Sequence, residues 1–393
     1  MTETSPYAPG FRPAESSGEI FDLVVVGGGL GGLTLAIQMA KLNYRVALFE
    51  KEEYPFHRVC GEYISFECWN FLENLGYPLS DMDLPMIKQL LVSAPDGKTL
   101  RHPLTLGGFG ISRYSIDAGL AKIAREEGVQ LFEGEKVTDL VYVKDRFVAN
   151  TNRRQVVVAR CAVAAYGKRS NLDIRWKRPF ALMRPGKLNN FIGVKYHIYW
   201  EGDEDTIALH NFEDGYCGLS KVDNGMYCLC YLSTAAQLKK YGSIPELEKM
   251  VLHRNPYLAR IFNEAKFVRK EPVTISQIAF TQKQQVEQHV LMIGDAAGVI
   301  SPLCGNGMSM AMHAGKLAAE QMDGFLKGKI SRQQMEAQYS AQWRLLFGKR
   351  LRTGRLVQRF FGKPMLTNLF ISLLQPFPRF IASLIRQTHG EPF

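Results

Sequence analysis

"DLVVVGGGLGGLTLAIQMAKLNYRVALFE", residues 22–50, carries a complete strand, turn, helix and second strand. The β-branched run at 22–26 reads as a strand buried on both faces, as parallel sheets require. "LTLAIQMAKLN" then repeats apolar residues at helical spacing, and "YRVALFE" returns to strand character. Between them Gly27, Gly29 and Gly32 satisfy GxGxxG, with Gly31 inside the same turn. That spacing gives a tight turn, close backbone approach to a pyrophosphate and close helix–strand packing. The amide end of the helix then faces the phosphate anions. Glu50 ends the second strand 23 residues after Gly27, where a carboxylate accepts from an adenosine ribose 2′-OH. An acid there argues for a ribose without a 2′-phosphate. A dinucleotide is expected at this end, and FAD and NAD satisfy the pattern equally.

The second informative stretch is "HVLMIGDAAGVISPLCGNGMSMAMHAGKLAAE", residues 289–320. It reads as a buried strand over 290–293 that ends in Gly294 and Asp295. Parallel strands present their carboxyl ends to the ligand crevice, and a short acid there suits the hydroxyl chain of a flavin's ribityl arm. Pro302, Gly305 and Gly307 form a loop, and Met308 opens a helix. Glycines let backbone approach a flat ring, and a helix N-terminus stabilises negative charge developing on a reduced flavin.

The order of GxGxxG and Glu50, then Arg113-x-x-x-Asp117-x-x-Leu120, then "GDAAG…P…GxGM" resembles the flavoproteins of the p-hydroxybenzoate hydroxylase fold. Single-component aromatic hydroxylases, flavin-dependent halogenases and geranylgeranyl reductases share that fold, and the resemblance runs over about residues 21–330. It implies that Gly27, Gly29, Gly31, Gly32 and Glu50 bind the ADP half of FAD. It places Arg113 near flavin and pyrophosphate, Asp295 on the ribityl chain, and Pro302, Gly305, Gly307 and Met308 along the isoalloxazine. "HRVCGEYIS", residues 57–65, looks like the reductase and halogenase branches, in which a Cys-Gly approaches the flavin. Arg58, Cys60 and Gly61 join the cofactor set on that ground, and Cys60 is the one catalytic candidate.

Three departures shape the expected chemistry. Position 298 is Gly where aromatic hydroxylases carry His. Tyr166 stands in "AAYGKRSNLD" where the family places an aspartate linked to nicotinamide use. Trp69, Trp176, Trp200 and Trp343 lie far apart, so the halogenase WxWxIP motif is missing. His57, His197, His210 and His313 are the histidines considered for proton transfer, none with a partner visible in sequence. The resemblance implies an FAD-dependent oxidoreductase with NAD(P)H as reductant. The leading expectation is a monooxygenase that hydroxylates a lipophilic aromatic, polyketide or lipid-like substrate through a flavin C4a-hydroperoxide. The alternatives are a reductase of isoprenoid double bonds and an electron-transfer flavoprotein without its own small-molecule substrate.

With 393 residues the chain exceeds a single core. The fold class expected is α/β: a Rossmann-like FAD domain at 21–175 and 281–330, with an excursion at about 80–110, and an antiparallel β-sheet substrate domain at 176–280. A disordered lead at 1–20 and a basic helical region at 331–393 complete it. Seven scattered cysteines without CxxC or metal spacing read as reduced thiols of a cytoplasmic protein. From residue 341 onward nine basic residues face one acid, Glu391, so this tail holds +8 of the net +10. The high pI therefore belongs to one tail, and nucleic acid is not an expected partner. The tail pairs helical apolar spacing with arginines and then "PMLTNLFISLLQPFP", too short and proline-broken to span a bilayer. It reads either as an anchor on an anionic membrane surface or as a lid packed on the catalytic domain.

Overall fold

The computed structural model describes residues 20–183, 190–301, 303, 305–358, 362–374 and 376–393. Of the expected disordered lead, only Ile20 falls among them. Mixed α/β architecture is observed, organised on two sheets. In the first, strands Val290–Met292, Val156–Ala164, Phe21–Val26, Val46–Phe49 and Gln130–Phe132 run parallel in that order. Leu23, Val24 and Val25 in the central strand are fully buried, as a strand covered on both faces demands. An antiparallel pair, Val137–Val143 and Arg146–Thr151, extends the sheet beside Val156–Ala164.

The nucleotide helix Leu30–Lys41 and the long helix Gly307–Leu326 pack side by side on this sheet. Their approach is set by small residues: a Cβ on Gly31 would lie 2.8 Å from the Ala311 carbonyl, and one on Gly315 2.9 Å from the Gly31 carbonyl. The crossing brings the N-termini of both helices to the carboxyl edge of the parallel strands.

The second sheet has nine strands. Its antiparallel centre is Phe191–Tyr199, Tyr227–Thr234, Gly215–Lys221 and Thr206–Phe212. The run "TIALHNFEDGYCGLSKV" is thus two strands folded at Glu213 and Asp214, with His210 opposite Cys217. Asp223–Gly225 turns the next hairpin, with Asn224 at φ 59°. Strand Met86–Ser93 joins this sheet parallel to Thr206–Phe212, and Thr99–Gly110 and Tyr63–Ser65 follow it.

Three helices finish the chain: Arg332–Gln358, Pro364–Leu374 and Pro378–Thr388. The first buries Tyr339, Trp343 and Phe347 in the same core as Gly307–Leu326. Residues 359–361, including Arg359, Phe360 and Phe361, lie outside the described residues. Arg350 turns inward to pair with Glu67 at 2.9 Å rather than facing solvent with its neighbours. Glu67 also takes the Gly390 amide at 2.7 Å, so the chain end is pinned to the segment that follows Tyr63–Ser65.

Candidate functional site

The glycine turn ends the central strand. A Cβ on Gly27 would sit 2.5 Å from the Ala165 carbonyl, and Gly27 holds φ 108°, so only glycine fits there. A Cβ on Gly32 would meet the Gly27 carbonyl at 2.1 Å, the close packing GxGxxG exists to allow. Gly29 differs. Its Cβ would find nothing nearer than Arg113 Nη2 at 3.7 Å, so open space lies above the turn with a guanidinium at its margin. The helix starts at Gly29 with no side-chain cap, leaving first-turn amides for an anion.

Around this opening lies a buried charge cluster. Glu50 accepts from the Gly28 amide at 2.9 Å and from Arg58 at 2.8 Å. Arg58 also binds Asp117 at 3.0 Å, and Arg113 closes a bidentate pair with Asp117 at 2.8 and 2.7 Å. Arg113 and Asp117 stand one turn apart on helix Arg113–Glu126, which explains their four-residue spacing. Tyr54 was not singled out in the sequence; its hydroxyl donates to the Gly28 carbonyl and covers the turn.

Asp295 follows strand Val290–Met292 in a short helical turn, Gly294–Ala296. Burial pushes its carboxyl above the usual range, with the Lys283 and Arg113 cations acting against that rise. Lys283 Nζ donates to the Asp295 carbonyl at 2.8 Å and to the Lys168 carbonyl at 2.7 Å, and burial lowers its own pKa to about 8. The turn is braced from behind: Arg178 donates to the Ala296 carbonyl at 3.2 Å and pairs with Asp173 at 2.9 Å. Tyr166 Oη donates to Asp173 at 2.6 Å. The tyrosine in the aspartate's place thus belongs to a bracing network. Lys168 and Arg169 reach across to Ser276 and Gln277 of the second sheet.

Gly307 starts its helix, and the N-cap Asn306 makes no side-chain capping bond. Met308 Sδ lies 3.5 Å from Cys60 Sγ, so the Cys-Gly segment and the GxGM loop meet. Burial raises the Cys60 pKa from its ordinary value, which keeps the thiol protonated at neutral pH. Gly61 is exposed, and its carbonyl accepts from Ser220 at 3.2 Å. Gly305 lies against the Tyr63 ring, whose hydroxyl is buried and has no partner among the described residues. Pro302 falls outside the described residues. A Cβ on Gly298 would meet the Trp343 ring at 3.2 Å, so the C-terminal helix takes the space a histidine would need.

Among the histidines, two converge. Glu62 Oε2 bonds His197 Nε2 at 2.6 Å, and its other oxygen takes Lys195 Nζ together with the Arg113 amide at 2.7 Å. Burial alone would raise the Glu62 carboxyl, but His197 and Lys195 more than offset it and leave the pKa lowered. His57 stacks on Tyr114 with ring centres 4.7 Å apart and lies 5.5 Å from His197. Burial lowers the His57 pKa to about 4, aided by Arg269 and Lys195. His57, Lys195 and His197 share a 220 Å³ cavity with Ser112, Tyr114 and Arg269. Glu62, His197 and Cys228 bring ligand atoms within 4.8 Å of one another, yet the Lys195 ammonium already neutralises Glu62 and would repel a metal cation. His210 and His313 lie apart from this group. His210 bonds Ser93 inside the second sheet at 2.8 Å, and His313 stacks on Phe393 at 4.1 Å. Glu62 and Lys195 escaped the sequence reading because their partners lie 133 residues apart.

Comparison with known proteins bears on the fold. A family model described as an NAD(P)-binding Rossmann-like domain matches residues 25–60. The chain is 23% identical over 385 residues to conditioned medium factor receptor 1 of Dictyostelium discoideum, covering 91% of this chain and 74% of that one. It is 24% identical over 337 residues to a digeranylgeranylglycerophospholipid reductase of Methanococcus vannielii, covering 83% of both. A flavoprotein/dehydrogenase structure from Cytophaga hutchinsonii superposes with TM-score 0.76 at 17% identity, over 93% of this chain and 92% of that one. A flavin-dependent halogenase and a probable FAD-dependent monooxygenase of Pseudomonas aeruginosa share the fold at 18% and 15% identity. The fold is therefore that of the flavin-dependent oxidoreductases built like p-hydroxybenzoate hydroxylase. Within that class, reductases, halogenases and monooxygenases all use it.

Proposed function

We propose that the protein is an FAD-dependent oxidoreductase that acts on a lipophilic substrate, and that it saturates carbon–carbon double bonds. The residues at the site fit FAD. The open space above Gly29, its uncapped helix and the Arg113 guanidinium suit a pyrophosphate. Asp295 at the strand end suits a hydroxylated chain, and the buried Tyr63 hydroxyl beside Gly305, without a partner among the described residues, supplies a polar group for a ligand. Glu50 would take the adenosine ribose, and Gly307 and Met308 would line the ring. Bound and reduced, FAD supplies hydride to a substrate or reacts with O2.

The observation that carries the reading is the Cys60–Met308 contact at 3.5 Å. Saturating a double bond adds a hydride to one carbon and a proton to the other. A thiol kept protonated by burial, held beside the loop assigned to the flavin ring, is placed to give that proton. Glu62 carries a lowered pKa, so it stays ionised and fixes His197, Lys195 and the Arg113 amide. NAD(P)H is the reductant in this reading.

Oxygen insertion is the second reading, and the 220 Å³ cavity favours it. Its polar lining of His57, Ser112, Tyr114 and His197 suits a phenolic ring better than a plain polyprenyl chain. One experiment separates the two. The protein is reduced without oxygen by NADH, NADPH or dithionite and offered a geranylgeranylated glycerolipid or a long-chain phenol. Product gaining two hydrogens without O2 supports saturation. Product gaining one oxygen only after O2 is admitted supports hydroxylation and overturns the first reading.

A further inference from the structure

We propose that helices Pro364–Leu374 and Pro378–Thr388 form a docking surface for the face of an anionic bilayer. Both helices turn one side inward. Ile371 and Ile381, 2% and 5% exposed, enter a single apolar cluster with Val92, Leu100 and Leu209 of the second sheet. Their opposite sides therefore face away from the same sheet. On the first helix Met365, Leu369 and Leu373 recur every four residues and stay 86%, 55% and 58% exposed. Phe377 and Phe380, 60% and 57% exposed, add large apolar side chains at the start of the second helix, whose side opposite Ile381 carries Arg379 and Arg386. Large apolar side chains exposed in such number on two successive helices are uncommon on a surface that meets only water.

Charge decides what covers the patch. Lys363, Arg379 and Arg386 flank it, exposed and without an ion-pair partner among the described residues. The only acid from residue 341 onward is Glu391. Asp214 of the second sheet, exposed beside Gly362, is the acid at the start of the first helix, but the two helices themselves carry cations and no acid, which matches acyl chains beneath anionic headgroups. Eleven residues per helix are too few to cross a bilayer, so the helices lie in the interface plane. Val299 and Leu303, from the segment between Asp295 and Met308, share the cluster under these helices. If the flavin assignment holds, a lipid leaving the bilayer would meet that segment first; the docking surface itself does not depend on it.

Sedimentation of the intact protein with phosphatidylcholine vesicles, with and without phosphatidylserine, tests this. The protein is expected to pellet with the anionic vesicles, less with neutral ones, and less at 1 M salt, where the Debye length falls to about 3 Å. Two exposed-face variants keep the result interpretable. Lys363→Glu/Arg379→Glu/Arg386→Glu should weaken anionic-vesicle affinity on the order of a hundredfold, at about fivefold per basic residue lost. Met365→Glu/Leu369→Glu should weaken it for neutral and anionic vesicles alike. Both should retain the parent's circular-dichroism melting midpoint, a readout that needs no flavin. Intact protein that stays in the supernatant with anionic vesicles at low salt overturns the proposal. So does pelleting that survives both variants, and so does a dimer that Met365→Glu/Leu369→Glu converts to monomer without vesicles, which would make the face an interface between copies.

Discussion

Cys60 illustrates how a residue gains meaning from its surroundings. In sequence it is one thiol of seven. In the fold its sulfur touches Met308, its carbonyl accepts from Cys228 at 3.2 Å, and burial holds its proton on. If the thiol gives the proton for saturation, Cys60→Ser should leave folding and FAD content intact. Turnover should fall on the order of a hundredfold, the usual worth of a positioned acid. Stopped-flow reoxidation of the reduced enzyme by substrate measures this, and an unchanged rate returns Cys60 to a packing role. Motifs confined to one strand and one turn were readable from the chain: Gly27, Gly32 and Asp295 stand where their spacing put them. The group formed by Glu62, Lys195 and His197 was not, because it joins a loop to a strand far along the chain and no local period marks it.

At the scale of elements, the tail and the front of the chain share one buried ion pair. Glu67 is 1% exposed and binds Arg350 of helix Arg332–Gln358 and the Gly390 amide. Removing one partner of such a pair leaves a buried charge unmatched, at a cost of about 3–5 kcal/mol. Arg350→Met should therefore lower stability by that order in urea unfolding, and Glu67→Gln/Arg350→Met should recover much of it. A single variant as stable as the parent would mean the pair contributes nothing. Helical spacing of Trp343 and Phe347 marked an apolar face that an anchor or a packed lid would share, and both side chains are buried in the core. The inward turn of Arg350 was illegible, since only a partner 283 residues away distinguishes it from the solvated arginines beside it.

The whole molecule should respond to acid through histidines buried without charge. His210 lies 2% exposed, and burial lowers its pKa to about 4. His57 and His313 are lowered to about 4 as well, chiefly by burial. The unfolded chain binds these protons near pH 6.5 and the folded chain only near pH 4, so stability is full above 6.5 and falls as pH drops between those values. For the fully buried His210 the loss is about 2 kcal/mol by pH 5. Melting at pH 7 and pH 5 should show the decline, and His210→Gln should lessen it; equal steepness in both proteins would contradict the assignment. The two-sheet plan was legible because strand–turn–helix units and hairpins announce themselves locally. How sheet and tail meet was not, because Ile371 and Ile381 pack on strands from distant parts of the chain.

Binding of FAD to this chain is the claim on which the functional account stands, and titration of flavin-stripped protein with FAD, read by quenching of flavin fluorescence, tests it most directly. The account predicts saturable one-to-one binding. It also predicts a ten- to hundredfold weaker affinity in Asp295→Ala, as loss of a charged hydrogen bond worth about 1.5–3 kcal/mol requires. A folded protein that leaves FAD fluorescence unquenched, or an Asp295→Ala variant that binds FAD as tightly as the parent, would contradict it.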